Sequence, residues 1–161
     1  MILKKTVNSI VHEYMSLALS KGEEGFIENE IPVGSLITLD NRIVSSSFNM
    51  VNKYQDPTAH AEILSIRKAT KELKSKYLNE CSLYSTLEPC AMCAQAIAFS
   101  KIKYLYFAAY DVKFGAVENG VRVFHSTYNH VPEIYGGIME KKAVELMQKF
   151  FIKVRKKTQH T

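Results

Sequence analysis

Two short stretches constrain the fold of this chain more than any other part of its sequence. Residues 57–62 read PTAHAE and residues 86–93 read TLEPCAMC. Cys90 and Cys93, at positions i and i+3, can bind one ion from the first turn of a helix, and Zn²⁺ favours thiolate and imidazole ligands. His60 would supply a third ligand. The fold must therefore bring two distant segments together around one ion.

The number of ligands favours a catalytic metal over a structural one. Structural zinc sites usually have four protein ligands, whereas catalytic sites keep one position for water. No fourth Cys or His lies near either stretch, and the remaining histidines are expected to belong to the surface or the core: His12, His125, His130 and His160. Glu62, two residues after His60, can carry protons beside the ion without binding it.

This arrangement, H-x-E followed 28 residues after the glutamate by the first cysteine of P-C-x-x-C, is the signature of the zinc deaminases that act on bases. With the flanking segments 31–34 (IPVG) and 111–116 (DVKFGA), residues 6–155 resemble the bacterial tRNA adenosine deaminase family within the cytidine deaminase superfamily. Residues 117–124 (VENGVRVF) depart from the pattern of many bacterial members, which puts individual contacts in that segment in question.

The resemblance implies a three-layer α/β/α sandwich around a five-stranded mixed sheet, with zinc at the N-termini of two helices. It implies hydrolytic deamination of adenosine to inosine at the wobble position of a tRNA anticodon, Glu62 acting as proton carrier. It also implies that the tRNA anticodon stem-loop is the partner, that the protein forms a homodimer, and that four residues contact the substrate: Asn49, Ala61, Asp111 and Asn129.

Composition is consistent with one globular domain spanning residues 1–161, because 47% of the residues are apolar and 23% are charged. Three cysteines, two of them in C-x-x-C, do not form a disulfide framework and favour a reducing cytoplasm. No apolar run is long enough to span a membrane, and no signal-peptide pattern follows residues 1–5. The net charge of +5 is compatible with an anionic partner.

The hydrophobic pattern predicts alternating helices and strands after an initial helix and hairpin. An amphipathic helix is predicted over residues 6–20, with Gly22 as its stop, and the glutamates of residues 23–30 are expected to form a solvated loop. Strands are predicted at 33–39, 43–48, 81–86, 104–109 and 133–137, and helices at 60–73, 90–99 and 139–157.

Two further segments bear on the substrate. Residues 111–132 are irregular, as functional loops often are. The last predicted helix carries seven Lys or Arg between residues 141 and 157, which either form a solvated face or contact phosphates of an anticodon stem.

Two other functions stay open at this stage. The same metal site could deaminate a free base or nucleoside such as cytosine, cytidine or guanine. From a different class, a non-catalytic RNA-binding module could be stabilised by zinc, with Glu62 a mere helix-start carboxylate.

Overall fold

A computed structural model describes residues 2–126 and 129–158, so the expectation for His160 lies outside the described part of the chain. Five strands form one sheet in the order β2-β1-β3-β4-β5. The strands are β1 (Gly34–Leu39), β2 (Arg42–Phe48), β3 (Ser82–Leu87), β4 (Tyr104–Ala109) and β5 (Glu133–Tyr135). β1 pairs antiparallel with β2 and β3, while β3, β4 and β5 are parallel, which confirms the mixed sheet.

Helices cover both faces of this sheet and make two hydrophobic cores. The helices are α1 (Ile2–Ile27), α2 (Val51–Tyr54), α3 (Ala61–Glu72), α4 (Ala91–Ser100) and α5 (Glu140–Thr158). On one face α3 and α4 pack their apolar sides on strand residues such as Leu83 and Phe107. On the other face α1 and α5 pack on residues such as Leu36 and Ala108. The alternation of side chains along each strand supplies both cores, as the three-layer prediction requires.

The predicted end of the first helix is wrong. The helix continues through Gly22 and Gly25 to Ile27, because these glycines lie where the helix approaches the sheet closely. A Cβ at Gly22 would stand 2.8 Å from the carbonyl oxygen of Pro32, and one at Gly25 would stand 3.3 Å from the ring of Phe48. Glycine here allows close packing and does not stop the helix.

The expectation of a solvated acidic loop over residues 23–30 is wrong for its conformation and for Glu30, although Glu23, Glu24 and Glu28 are exposed. Glu23 and Glu24 lie within α1, and Glu30 is buried, with 1% of its surface exposed. Asn29, with φ of 60°, turns the chain inward, and the N–H of Glu30 donates to the carbonyl of Gly25. The chain therefore turns from the surface into the protein interior at Glu30.

The loop between β4 and β5 belongs partly to the core. Val117 and Phe124 are buried against α4 and the sheet, and a single 3₁₀ turn covers Val123–His125. The segment in which the sequence departs from its relatives thus includes packing residues. Within residues 2–126 and 129–158, no helix combines the length and the apolar character needed to cross a membrane.

Candidate active site

Two helix starts meet at the site. His60 is the residue immediately before α3 and Cys90 the residue before α4, and both have extended backbones. A turn positions His60, because Oδ1 of Asp56 accepts hydrogen bonds from the N–H and the hydroxyl of Thr58. Pro89 precedes Cys90, whose backbone bridges to Gly115 of the long loop. The positive ends of two helix dipoles therefore face the same point, which favours thiolates there.

The distances within this cluster fit zinc. Nδ1 of His60 lies 3.6 Å from Sγ of Cys90 and 3.5 Å from Sγ of Cys93. All three ligand atoms lie within 4.8 Å of one another. A tetrahedral ion with bonds of about 2.3 Å to sulfur and 2.0 Å to nitrogen would hold such atoms about 3.6 Å apart. The side chains are thus already spaced as one zinc ion requires.

Among the three candidate ligands, Cys90 is the one whose pKa favours the charged form that binds a cation. Hydrogen bonds from Cys93 and His60, which outweigh burial, lower the pKa of Cys90 to about 4. The hydrogen bond to Cys90 and burial raise the pKa of Cys93. The hydrogen bond to Cys90 raises the pKa of His60. Cys93 and His60 would give up their protons on coordinating a cation, since coordinated thiols are deprotonated.

Glu62 lies in the first turn of α3 and is buried, with 4% of its surface exposed. Its Oε2 is 3.6 Å from Sγ of Cys93, and its Oε1 is 3.0 Å from the hydroxyl of Ser85 on β3. Burial raises the pKa of the Glu62 carboxyl above its usual range. A carboxyl with a raised pKa beside the three candidate metal ligands is suited to taking up and releasing a proton.

A cleft of about 1010 Å³ opens beside this cluster. Asn49, Ala61 and Asp111, three of the candidate substrate contacts, line it with His60, Glu62 and Cys90. Helix α5 supplies part of the opposite wall, through Met147, Gln148, Phe151 and Arg155 among others.

The fourth candidate contact, Asn129, does not line the described cleft. Its side-chain amide exchanges hydrogen bonds with Gln95 of α4, at 3.1 and 3.4 Å, and donates to the carbonyl of Val123. Asp111 uses Oδ1 to accept from the N–H groups of Lys113 and Phe114. In this structure both side chains organise the loop in which they lie.

Sequence reasoning missed Glu88, to which it assigned no functional role. Glu88 is 2% exposed and accepts hydrogen bonds from four loop N–H groups and one side-chain amide, contributed by Asp111, Val117, Glu118 and Asn119. One buried carboxylate thus fixes the wall of the cleft. The only local signal was a charged residue at the end of an apolar strand, directly before the cysteine motif.

Comparison with known proteins gives consistent results. Residues 8–109 match the family model for the cytidine and deoxycytidylate deaminase zinc-binding region. A tRNA-specific adenosine deaminase of Agrobacterium fabrum is 43% identical over 86% of this chain and 91% of its own length. A solved structure from work on A-to-I editing by tRNA:A34 deaminases at the wobble position of transfer RNA superposes with a TM-score of 0.81. It is 42% identical and covers 83% of this chain and 98% of its own.

A guanine deaminase of Bacillus subtilis is 38% identical over 61% of this chain and 63% of its own, with a TM-score of 0.59. The sheet, the two helix starts and the His-Cys-Cys cluster define a zinc-binding deaminase domain. Within that class, the chain belongs to the tRNA-specific adenosine deaminase family.

Proposed function

We propose that this protein converts adenosine to inosine at the wobble position of tRNA anticodons by zinc-dependent hydrolysis. One observation carries the proposal: a buried Glu62 adjoins a three-ligand cluster at a cleft that can hold a base. The chain in which this site occurs is similar over most of its length to enzymes named for that reaction.

The proposal assigns a role to each residue of the cluster. His60, Cys90 and Cys93 hold one zinc ion, which when bound supplies the Lewis acidity that activates water for attack. Glu62 accepts a proton from the attacking water and returns one to the leaving amine. A bond forms between C6 of adenine and the water oxygen, the bond between C6 and N6 breaks, and ammonia leaves.

The adenine is expected to sit in the cleft outside its base stack, where Asn49, Ala61 and Asp111 contact it. Single-stranded anticodon loops suit such a site because their bases can be splayed out. At the cleft, Phe114 is 64% and Phe151 44% exposed, which offers aromatic faces to neighbouring bases. Asn129 would contact the RNA where the RNA extends along the 111–132 loop.

We further propose that the chain is one deaminase domain that works as a cytoplasmic homodimer. The tRNA substrate supports the compartment, and the family resemblance supports the dimer. The 111–132 loop exposes Val112 and Val121, at 84% and 72%, which gives apolar surface for a second copy to cover. Size-exclusion chromatography with light scattering tests the assembly.

Mass-spectrometric inosine analysis tests the reaction. Purified protein is incubated with total tRNA or an anticodon stem-loop, and in parallel with free cytidine, cytosine and guanine. Inosine in the RNA, with the free compounds unchanged, is the expected result. The similarity to a guanine deaminase favours a free base as the second candidate, and turnover of a free base alone would support it. A module that binds zinc and RNA without any turnover would be the non-catalytic alternative.

A further inference from the structure

Three glutamates are buried in the described part of the chain: Glu30, Glu62 and Glu88. Glu62 adjoins the cluster of candidate metal ligands. Glu88 holds the 111–119 loop that forms a wall of the cleft. Glu30 belongs to neither task, and it precedes the first strand, far along the chain from both motifs. A buried carboxylate is costly unless it is hydrogen-bonded, so its partners indicate what it does.

Glu30 has three donors. Its Oε1 accepts from the N–H of Lys53 at 2.7 Å, and its Oε2 accepts from the N–H of Asn52 and from Nδ2 of Asn49, both at 3.2 Å. The two N–H groups belong to the first turn of α2, whose N-terminal donors have no partners within the helix. Glu30 therefore joins the end of α1, the start of α2 and a side chain of the cleft.

The third contact fixes the orientation of the Asn49 amide. An ionised carboxylate offers acceptors only, so the NH₂ group and not the carbonyl oxygen of Asn49 must face Glu30. The backbone of Asn49 is also held, since its N–H donates to the carbonyl of Val33. Asn49 is 6% exposed and lines the cleft, and its Oδ1 has no hydrogen-bond partner among the described residues. The amide thus presents one free acceptor and one remaining N–H.

We infer that Glu30 is a positioning residue for base recognition, which it serves by locking the Asn49 amide in this orientation. The inference rests on the proposed function. An asparagine pairs with adenine through one acceptor and one donor, because adenine presents an amino group beside a ring nitrogen. A flipped amide would set a donor against a donor and an acceptor against an acceptor. Locking therefore prevents the mismatched state from being populated.

Exchange of donor and acceptor between the two residues tests the inference. Glu30→Gln leaves one acceptor oxygen for three donors, so residue 30 no longer dictates the direction of the Asn49 amide, and Asn49→Asp sets two carboxylates against each other. Each is expected to lower kcat/KM for an anticodon stem-loop about ten-fold or more, the effect of losing one buried hydrogen bond. The double variant Glu30→Gln with Asn49→Asp restores the bond with its direction reversed and leaves a carboxylate oxygen for the base. It should therefore be more active than the product of the single effects predicts.

Controls separate positioning from folding. Glu28→Gln removes the same charge two residues away, where the side chain is exposed and pairs with Lys53 at 3.5 Å, and it should leave kcat/KM unchanged. Zinc content and thermal unfolding are measured for every variant. If Glu30→Gln does not fold, Asn49→Asp is compared with Asn49→Ala in the presence of Glu30. The inference expects Asn49→Asp to be the more damaging, although it retains an acceptor.

Two results would overturn the inference while leaving the proposed function intact. One is a double variant no better than the product of the two single effects. The other is an Asn49→Asp variant that is more active than Asn49→Ala. Failure of the unaltered protein to form inosine in the stem-loop would instead refute the proposed function itself.

Discussion

The hydroxyl of Ser85 lies 3.0 Å from Oε1 of Glu62 and 2.8 Å from the carbonyl oxygen of Leu87. A hydroxyl has one proton to donate and lone pairs to accept. Ser85 can therefore donate to an ionised Glu62, or accept from a protonated Glu62 while it donates to Leu87. The carboxyl of Glu62 keeps a partner in both protonation states, as a proton carrier requires.

Ser85→Ala should lower kcat about ten-fold and leave KM for the stem-loop nearly unchanged, since the loss affects Glu62 and not the RNA contacts. Single-turnover and steady-state inosine formation measure both constants. Ser45→Ala is the matched control, because Ser45 is buried and donates to the backbone carbonyl of Ser65 instead of to the Glu62 carboxyl. Wild-type turnover in Ser85→Ala would remove Ser85 from the mechanism.

Cys93→Ala should lose zinc together with part of the folding stability, because metal binding is coupled to folding. Elemental analysis and thermal unfolding measure the two effects. Cys81→Ala also removes a buried thiol, but Cys81 lies outside the ligand cluster, so its zinc content should stay at one ion per chain. Full occupancy in Cys93→Ala would contradict the ligand assignment.

Glu62→Gln should keep zinc and RNA affinity while turnover falls by several orders of magnitude, because both proton transfers lose their carrier. Elemental analysis, stem-loop binding and inosine formation are compared. Glu72→Gln, at the exposed end of the same helix, is expected to behave as wild type. Near-normal deamination by Glu62→Gln would refute the proton-carrier role.

The free energy of unfolding should depend on the protonation of Glu88 at acidic pH. Burial alone would raise the pKa of Glu88, but hydrogen bonds from Asn119 and the other loop donors outweigh it and hold the pKa below the ordinary value of 4.5. The stabilisation is therefore present above about pH 4.5 and is lost as the pH falls through the lower folded-state value. The difference in unfolding free energy between wild type and Glu88→Gln should shrink over that range in urea titrations. A difference that stays constant with pH would exclude this linkage.

The basic end of α5 should supply part of the salt dependence of RNA binding. Replacing Arg155, Lys156 and Lys157 with Gln should reduce the slope of log affinity against log salt by up to about two units, since fewer counterions are released. Lys71, at the end of α3, and Lys74 and Lys76, just after it, provide a matched control of three exposed cations. An unchanged slope in the first variant would move the phosphate contacts elsewhere.

The parts of the molecule that the sequence predicts well are those encoded by neighbours along the chain. The spacing of Cys90 and Cys93, and of His60 and Glu62, specifies two helix starts, and strand alternation specifies the layers. Glu30 and Ser85 could not be found in this way. The contacts of Glu30 with Asn49 and Lys53, and of Ser85 with Glu62, join residues 19 to 23 positions apart, which tertiary structure brings together.

The missed end of α1 has a similar origin. Glycine is a common residue at helix ends. Gly22 instead packs closely against the carbonyl oxygen of Pro32, a contact that helix propensity does not reveal. Ser85 left a weak signal, because it is a polar residue on the same face of β3 as the core residue Leu83. Only the tertiary structure shows which buried polar residue has a partner in the site.

The anchoring of the 111–119 loop by Glu88 bears on how substrate enters. Because one carboxylate holds four N–H groups of that loop, the wall of the cleft is ordered when the chain folds. Its conformational entropy is lost at that stage and is not lost again on association with RNA. We therefore expect the rate of association to be limited by how often the RNA presents an unstacked adenosine, because this wall of the cleft is already ordered.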